Sequence, residues 1–500
     1  MTSRRYQASL HRQQDLLLPP SVEEYVSETN NVRAIDTYVN TLDLLSLGFS
    51  HTQPTAGAGQ PPYNPGALLK LYIYGYLQGL RSSRKLERET HRNLEVMWLV
   101  EGVRPSYKTL ADFRKDNGKG LKAANRDFIL LCKELSLLGG DEVGVDGSFF
   151  KADASKDSIA TEAKLNKQLE RLDRHIEAYQ AALAEQDAAD DEAGKGSLVE
   201  DEQLVEKLRL LEERQAAKKA QQQALKDSGE KQVSHVDKDA RMLSKRGHTI
   251  AGYNVQIAVD SEHKLIVAEE VTQDGNDTQQ LAPMLEQAQA ILDSEDLTGL
   301  ADSGYYEGHQ LKRCEEQDMT VYVAIPDKSK KTAKEKRFTR ECFQYDDERD
   351  VYHCPQGKPL RPCGKPHQKN NKWLTRYVSK VSDCKDCPVR GQCLTQKARV
   401  KQLQRWEHEA VVERHQQRMQ GQSQMMRKRG AIVEHPIGTL KHRAGMHHFL
   451  MRGLEKCRGE FSLMVLSYNF TRVLNILGTD FIREYCVQRQ NNILKNVSYA

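Results

Sequence analysis

The sequence predicts an α/β protein, in which a mixed sheet with flanking helices is joined to a helical N-terminal domain. Strand-like and helix-like segments alternate over residues 250–326, an order that suits a sheet with helices packed against it. Apolar residues recur at helical spacing before and after that region. The segments 157–235 and 327–402 follow other patterns, so we interpret them as insertions. A chain of 500 residues is long enough for roughly two to four domains with a sizeable core.

The composition is typical of a protein with much exposed helix, since 38% of the residues are hydrophobic and 29% are charged. The N-terminal residues MTSRRYQASLHRQQ form no apolar signal segment. The apolar stretch FSLMVLSYNFTRVLNIL contains Asn469, Arg472 and Asn475, which favours a buried helix over a membrane span. We therefore expect a cytoplasmic protein with no membrane partner, whose cysteines are reduced.

The N-terminal domain, residues 1–135, is predicted to be helical. Its helices begin in NPGALLKLYIYGYLQGL, in SSRKLERETHRNLEVMWLV with Ser82 or Ser83 as cap, and in PSYKTLADFRKDN with Ser106 as cap. Short helices that carry basic side chains are typical of a helix-turn-helix module on DNA, although a helical bundle with a solvated basic face has the same pattern. The basic residues concerned are Arg81, Arg84, Lys85, Arg88 and Arg92.

The first insertion, residues 157–235, has a heptad pattern. Apolar residues follow one another at spacings of 4, 3, 4, 3 and 4, namely Leu165, Leu169, Leu172, Ile176, Tyr179 and Leu183. A polar turn, DAADDEAGKGS, leads into a second helical segment. We expect a helical hairpin, an antiparallel coiled coil that serves as a structural insertion or a dimer arm.

The core begins with the strand VGVDGSFF within residues 140–156 and continues over residues 236–326. TIAGYNVQIAVD and HKLIVAEEVTQ are predicted to be antiparallel strands, and LTGLAD and TVYVAIP are further strands. Helices are predicted in DTQQLAPMLEQAQAILDS, capped by Asp277 or Thr278, and in EGHQLKRCEEQ. C-terminal helices over residues 403–480 complete the core, and residues 481–500 form a tail.

Two aspartates are predicted to end separate strands of this sheet. Asp146 and Asp302 are each followed by small residues, Gly147-Ser148 and Ser303-Gly304, which let a metal ion and a phosphate approach the backbone. Carboxylates from neighbouring strands are suitable ligands for Mg²⁺. Glu434, at the start of a predicted helical segment, is the best candidate for a third acid.

The aspartates also have other interpretations. An aspartate at a strand end is more often a turn or cap residue than a metal ligand. Asp260 ends a strand as well and competes with Asp302 on pattern alone, whereas Asp277 is interpreted as a helix cap.

Four motifs in order, VDGSFF, GYNVQIAVD, LADSGYY and VEHPIGTLKHRAG, resemble those of the DDE transposases of bacterial insertion sequences, over roughly residues 60–478. The resemblance implies an RNase H-like core whose catalytic acids, Asp146, Asp302 and Glu434, bind Mg²⁺ or Mn²⁺. It places Asp260 on the neighbouring strand, so Asp260 is not expected to be one of the catalytic acids. It also implies metal-dependent cleavage and strand transfer of an insertion sequence. The expected partners are double-stranded DNA, as terminal inverted repeats and target, and a second copy of the chain in a homodimer or higher complex. The alternative is a nuclease without strand transfer, or a DNA-binding regulator, derived from a transposase.

The region around Glu434 departs partly from the pattern Y-x2-R-x3-E-x6-K of many relatives. Glu434 and Lys441 keep the E-x6-K spacing, but Arg427 and Gly430 stand at the Tyr and Arg positions, and Arg429 can substitute for the missing Arg. Lys441 follows Glu434 by two helical turns, so both are expected on one helix face. The DNA-binding residues predicted in this basic region are Lys441, Arg427, Arg429 and Arg443; the alternative is a solvated helix face.

The second insertion, residues 327–402, is basic and then rich in cysteine. KSKKTAKEKRFTR, residues 328–340, is predicted to be a mobile basic loop. The following residues include few large apolar side chains, so we expect a loop domain that needs a metal to fold. The predicted Zn²⁺ ligands are Cys354, Cys384, Cys387 and Cys393, with Cys363, His353 and His367 as alternates, and reduced cysteines without metal as the other interpretation.

Overall fold

The computed structural model describes residues 21–53, 61–193, 198–245, 247–326 and 337–498. The chain divides into two units. The first contains Met1–Leu135, Phe149–Tyr253 and Gly438–Ala500, and the second contains Ser136–Ser148 and Asn254–Ile437. The predicted mobile loop at 328–340 lies largely outside the described residues.

In the part of the chain that the structure describes, six α-helices precede the first strand, and strands alternate with helices between residues 266 and 323, as the sequence predicts for the core. In chain order the helices are α1 (Asn31–Asn40), α2 (Pro65–Leu77), α3 (Ser83–Thr90), α4 (Leu94–Leu99), α5 (Tyr107–Asp116), α6 (Gly118–Glu134), α7 (Glu162–Ala193), α8 (Leu198–Ser228), α9 (Leu281–Leu292), α10 (Gly308–Glu315), α11 (Val381–Lys385), α12 (Arg390–Cys393), α13 (Glu409–Met419), α14 (Ser423–Gly438), α15 (Leu454–Leu477) and α16 (Thr479–Ser498). The strands are β1 (Glu142–Lys151), β2 (Ile159–Thr161), β3 (Gln232–Ser234), β4 (Arg241–Lys245), β5 (His248–Asp260), β6 (Ile266–Thr272), β7 (Thr298–Ala301), β8 (Thr320–Val323), β9 (Gln344–Asp346), β10 (Val351–His353), β11 (Pro359–Pro362), β12 (His367–Lys369), β13 (Lys372–Val378) and β14 (Gln402–Trp406).

The first unit is built around α15, the apolar helix that the sequence predicts to be buried. It packs against α2 and α6, and the Phe470 ring stacks on Phe128, with ring centroids 5.0 Å apart. Glu460, on the same helix, is fully buried and pairs with Arg81 at 3.0 Å. Among the described residues, no helix is long and apolar enough to cross a membrane.

The basic face predicted around α3 is smaller than the sequence indicates. Arg81 is buried by its ion pair with Glu460, so it cannot contact DNA in this arrangement. Arg84, Lys85 and Arg88 are exposed, and Arg92 pairs with Glu89 one turn away. The serine cap of α5 is confirmed, since Ser106 Oγ accepts a hydrogen bond from the Thr109 amide at 3.2 Å.

The helical hairpin predicted in the first insertion is present. Amide side chains link α7 and α8 in antiparallel register, Gln215 to Asp173 and Gln222 to Asn166. Of the six predicted seam residues, Leu165, Leu169 and Ile176 are buried, Leu172 and Tyr179 are half-buried, and the Leu183 side chain lies outside the described residues.

The larger sheet has the strand order β4-β5-β1-β7-β8, and β6 also pairs with β5. Strands β5 and β6 are antiparallel, whereas β1, β7 and β8 run parallel. The mixed sheet with α9 and α10 in the connections confirms the predicted α/β class. One detail is wrong: Asp146 is the fifth residue of the 10-residue strand β1 and does not end it.

The second insertion contains a six-stranded sheet of order β12-β13-β11-β10-β9, with β14 paired to β13. Its core is a cluster of buried residues, namely Phe343, Tyr352, Leu360, Tyr377 and Leu403. The expectation of a loop domain was wrong, because these apolar residues are widely spaced in sequence and form a core only when the strands pair. Residues 481–498 of the predicted tail belong to helix α16, which extends to Ser498.

Candidate active site

Asp146 and Asp302 lie side by side because of the register between parallel strands. The last paired residues of β1 and β7 are Gly144 and Leu300. Each aspartate follows its paired residue by two positions, and residues two apart on a strand point to the same face. Asp302 directly follows β7, as predicted, and its Oδ1 accepts a hydrogen bond from the Gly304 amide at 2.8 Å.

The guanidinium of Arg429 lies between these two carboxylates. Its Nη2 is 2.8 Å from Asp146 Oδ1 and 3.6 Å from Asp302 Oδ2. The Arg429 side chain is only 14% exposed, and among the described atoms its Nε has no hydrogen-bond partner. A buried donor without an acceptor is costly, so Arg429 retains capacity to bind an anionic oxygen.

Asp277 is a third acid beside this pair, and the sequence analysis misassigned it. Helix α9 begins at Leu281 with Gln280 as its N-cap residue, so neither Asp277 nor Thr278 caps it. Instead, Asp277 is buried, and its Oδ1 accepts hydrogen bonds from Asn254 Nδ2 at 2.8 Å and Gln256 Nε2 at 2.7 Å. Two polar residues inside the apolar run GYNVQIAV were the sequence pattern that could have indicated this network.

The glycines after the two aspartates bring Asp277 close to them. A Cβ on Gly147 would lie 2.6 Å from Asp277 Oδ1 and 2.4 Å from Gln256 Nε2. A Cβ on Gly304 would lie 3.5 Å from Asp277 Oδ2 and 2.9 Å from Asp302 Oδ1. Both glycines therefore leave space that the carboxylates and their amide partners use.

The pKa of Tyr305 depends on the charges of this cluster. Its hydroxyl donates to Gln256 Oε1, next to Asp277. Burial raises the pKa of Tyr305 well above its usual range, the negative charges of Asp277, Asp146 and Asp302 raise it further, and Arg429 lowers it. The phenol is therefore protonated at physiological pH and holds the Gln256 side chain.

The donor set of this cluster fits a hard divalent cation. Arg429 contacts Asp146 and Asp302, and Asp277 adds a third negative charge, so the cluster carries excess negative charge. Oxygen ligands are those that Mg²⁺ prefers. However, no group of three or more His, Cys, Asp or Glu side chains in the described part of the chain is arranged so that it could hold a metal ion as it stands.

Glu434 is exposed and lies in the second half of α14, not at the start of a helical segment. The helix packs closely on β1, since a Cβ on Gly144 would lie 2.7 Å from Val433 Cγ1 and 3.0 Å from Ile432 Cγ2. The Glu434 Oε1 atom is 3.3 Å from the position of a Cβ on Gly430. Glu434 thus extends from a helix packed on β1, but it does not form a metal-holding group with Asp146 and Asp302 here.

Asp260, the competing strand-end aspartate, has a different role. It is fully buried, and it accepts hydrogen bonds from the backbone amides of Gly139, Glu262 and His263 at 2.8, 3.0 and 2.9 Å. These bonds hold the turn between β5 and β6.

The predicted DNA-binding residues are divided between the units. Arg427 is exposed in the second unit, two residues before the half-buried Arg429. Lys441 and Arg443 belong to the first unit, in a π-helical segment, Thr439–Arg443, that directly follows α14. The Lys441 ammonium donates to the Phe149 carbonyl at 2.8 Å and lies 5.0 Å from the Phe150 ring centroid.

The four predicted zinc ligands line one cavity of about 30 Å³ in the second insertion. Cys354 follows β10, Cys384 lies in α11, Cys387 follows it, and Cys393 ends α12. Burial raises the pKa of the Cys393 thiol, the Lys401 ammonium lowers it, and Cys384, Cys354 and Cys387 raise it again. Of the alternates, Cys363 is exposed and His353 lies 3.5 Å from Asp346.

Two family models match the chain. One, described as "Transposase domain (DUF772)", matches residues 20–116, and another, described as "Transposase DDE domain", matches residues 353–474. Together the two matches support a DDE transposase of insertion-sequence type. The DDE match includes Glu434, Lys441 and the cysteine cluster, whereas Asp146 and Asp302 lie outside both matched ranges. No curated protein and no solved structure matches this transposase.

Proposed function

We propose that this transposase cleaves DNA at the ends of an insertion sequence and joins the released 3′ ends to target DNA, with divalent cations bound by Asp146, Asp302 and Glu434. The observation that carries the proposal is the pairing of Asp146 with Asp302 around the Arg429 guanidinium, in a chain of the DDE transposase family. The mixed sheet, in which β1, β7 and β8 run parallel, is the part that we assign to an RNase H-like core.

Each side chain has a distinct task in this proposal. When bound, a pair of Mg²⁺ or Mn²⁺ ions activates the attacking oxygen and stabilises the leaving oxygen. Asp146 and Asp302 supply carboxylate oxygens from neighbouring strand positions, and Glu434 supplies a third from α14. Arg429 exchanges its carboxylate contacts for a non-bridging phosphate oxygen, which its buried donors favour.

DNA binding is assigned to basic residues of both units. Arg427 and Arg443 are exposed, and Lys441 completes the set. Each cation that contacts a phosphate should contribute to the salt dependence of binding, so Arg427→Ala and Arg443→Ala should each lower the log–log salt slope by about 1. If a variant has the same salt slope as the native protein, the substituted residue does not contact a DNA phosphate.

The function is tested with a DNA fragment that carries the ends of the element and an unrelated plasmid as target. The native chain should cut the fragment in the presence of Mg²⁺ and join it to the plasmid, whereas Asp146→Asn and Asp302→Asn should do neither and still bind DNA. Asp296→Asn is the matched control, because Asp296 is exposed at the opposite end of β7. Cutting by either variant at the native rate would refute the assignment, and cutting without joining would indicate a nuclease.

We also propose that Cys354, Cys384, Cys387 and Cys393 bind one structural Zn²⁺. Support comes from their convergence on one small cavity. Four thiolates are a frequent ligand set for structural zinc. Protein prepared under reducing conditions without chelator should contain about one zinc per chain. Cys387→Ser should lose it, and Cys342→Ser, at an exposed cysteine away from the cavity, should retain it. A native chain without zinc would refute the site.

A further inference from the structure

We infer that Asp277 is a positioning residue of the cation site, which raises the affinity of Asp146 and Asp302 for a divalent cation through its charge. The inference rests on the proposed function, and it assigns a role to a residue that belongs to no transposase motif recognised in the sequence. Asp277 lies in the segment between β6 and α9, outside the two matched family ranges.

The first argument is the fixed orientation of the Asp277 carboxylate. Two amide side chains, Asn254 and Gln256, donate to its Oδ1 at 2.8 and 2.7 Å. Both donors are fully buried on β5, and the Tyr305 hydroxyl in turn donates to Gln256. A helix cap or a turn residue does not require three buried polar side chains, so this network indicates a carboxylate held in place for a purpose.

The second argument is the position of that carboxylate. Its Oδ1 faces Gly147, the neighbour of Asp146, and its Oδ2 faces Gly304, whose amide binds Asp302. A methyl group at Gly147 would overlap the carboxylate at 2.6 Å, whereas one at Gly304 would lie in ordinary van der Waals contact with it at 3.5 Å. Asp277 therefore lies close to both segments that carry the proposed ligands, and most closely to the segment that carries Asp146.

The third argument is charge. Asp146, Asp302 and Asp277 all act on the Tyr305 hydroxyl, and Arg429 is the cation that acts on it in the opposite direction. Three carboxylates against one guanidinium leave a negative potential in a partly buried place, where charge interactions are stronger than in water. A divalent cation held by Asp146 and Asp302 would reduce this excess, so part of its binding energy would come from Asp277.

The test measures Mn²⁺ binding to the purified full-length chain without DNA, by electron paramagnetic resonance. Asp277→Asn keeps an oxygen that accepts both amide hydrogen bonds, removes the negative charge and replaces Oδ2 by an amide nitrogen. We expect its Mn²⁺ dissociation constant to rise about tenfold or more. Asp260→Asn is the matched control, because Asp260 is also a buried aspartate of the same unit but binds backbone amides of a distant turn. It should leave the constant unchanged.

A second measurement separates a charge role from a merely structural one. In EDTA, Asp277→Asn should unfold at the same or a higher temperature than the native chain, because a charge that repels Asp146 and Asp302 is gone. If Asp277→Asn unfolds at a lower temperature than the native chain and binds Mn²⁺ with native affinity, Asp277 has a structural role and the inference is overturned. If Asp277→Asn is insoluble, Asn254→Ser replaces it, and an unchanged Mn²⁺ affinity would then overturn the inference. Asp146→Asn distinguishes failure of this inference from failure of the proposed function. If Asp146→Asn retains native Mn²⁺ affinity, the proposed function itself fails.

Discussion

Arg429→Gln should destabilise the metal-free transposase and make its stability depend more strongly on divalent cations. The guanidinium is 2.8 Å from Asp146 and 3.6 Å from Asp302, and the three side chains are 14%, 19% and 38% exposed. Removal of one partner from a buried ion pair costs about 3–5 kcal/mol. Because Asp302 is more than one-third exposed, water compensates part of this loss, and we expect about 2–3 kcal/mol.

The direction of the cation effect follows from the same geometry. Without Arg429, two neighbouring carboxylates lose their counter-charge and repel each other. A divalent cation then restores the charge balance and no longer competes with the guanidinium, so its dissociation constant should fall by about tenfold. A ligand that binds only the folded chain stabilises it by an amount that grows with the ratio of its concentration to its dissociation constant.

The assay is thermal unfolding in EDTA and over a series of Mn²⁺ concentrations. Arg429→Gln should unfold a few degrees below the native chain in EDTA and should gain more than the native chain at saturating Mn²⁺. Lys428→Gln is the matched control, since Lys428 pairs with Glu142 at 2.7 Å but is 51% exposed, and its loss should cost less than about 1 kcal/mol. The reasoning is refuted if Arg429→Gln is as stable as Lys428→Gln in EDTA and gains no more from Mn²⁺.

Three further predictions concern the scaffold. Glu460→Gln should cost about 3–5 kcal/mol in denaturant unfolding, because Arg81 would lose its buried partner; a loss below about 1 kcal/mol would contradict this. Gly144→Ala should lower end cleavage and stability together, because its methyl group would overlap Val433 and displace α14, and native cleavage would show that α14 need not pack so closely. Burial lowers the pKa of His415 to about 4, and its Nε2 accepts the Val323 amide at 3.1 Å. The contribution of neutral His415 to the free energy of unfolding is therefore fully present above the unfolded-state pKa of about 6.5. It is lost as the pH falls toward 4, by up to about 3 kcal/mol. His415→Gln should flatten this part of the curve of stability against pH.

The sequence by itself determined the α/β class, the order of the core strands and helices, and the antiparallel helical hairpin. These features follow from local sequence patterns. Strands β5 and β6 are two apolar runs joined by a short turn, and α15 is a long apolar helix. The sequence also placed Asp302 directly after β7, because the small residues that follow end the strand.

Tertiary structure alone decided which polar residues meet. Asp146 lies inside β1, and only its register with β7 sets it beside Asp302. The sequence pattern predicted Arg81 as a DNA contact, but in the fold it is buried and pairs with Glu460, 379 positions away. The pattern predicted Asp277 as a helix cap, but its carboxylate accepts hydrogen bonds from Asn254 and Gln256. The second insertion gained a core when distant aromatic residues were brought together by strand pairing. Local patterns report one residue's neighbours along the chain, whereas burial and charge depend on partners that strand register and helix packing bring into contact.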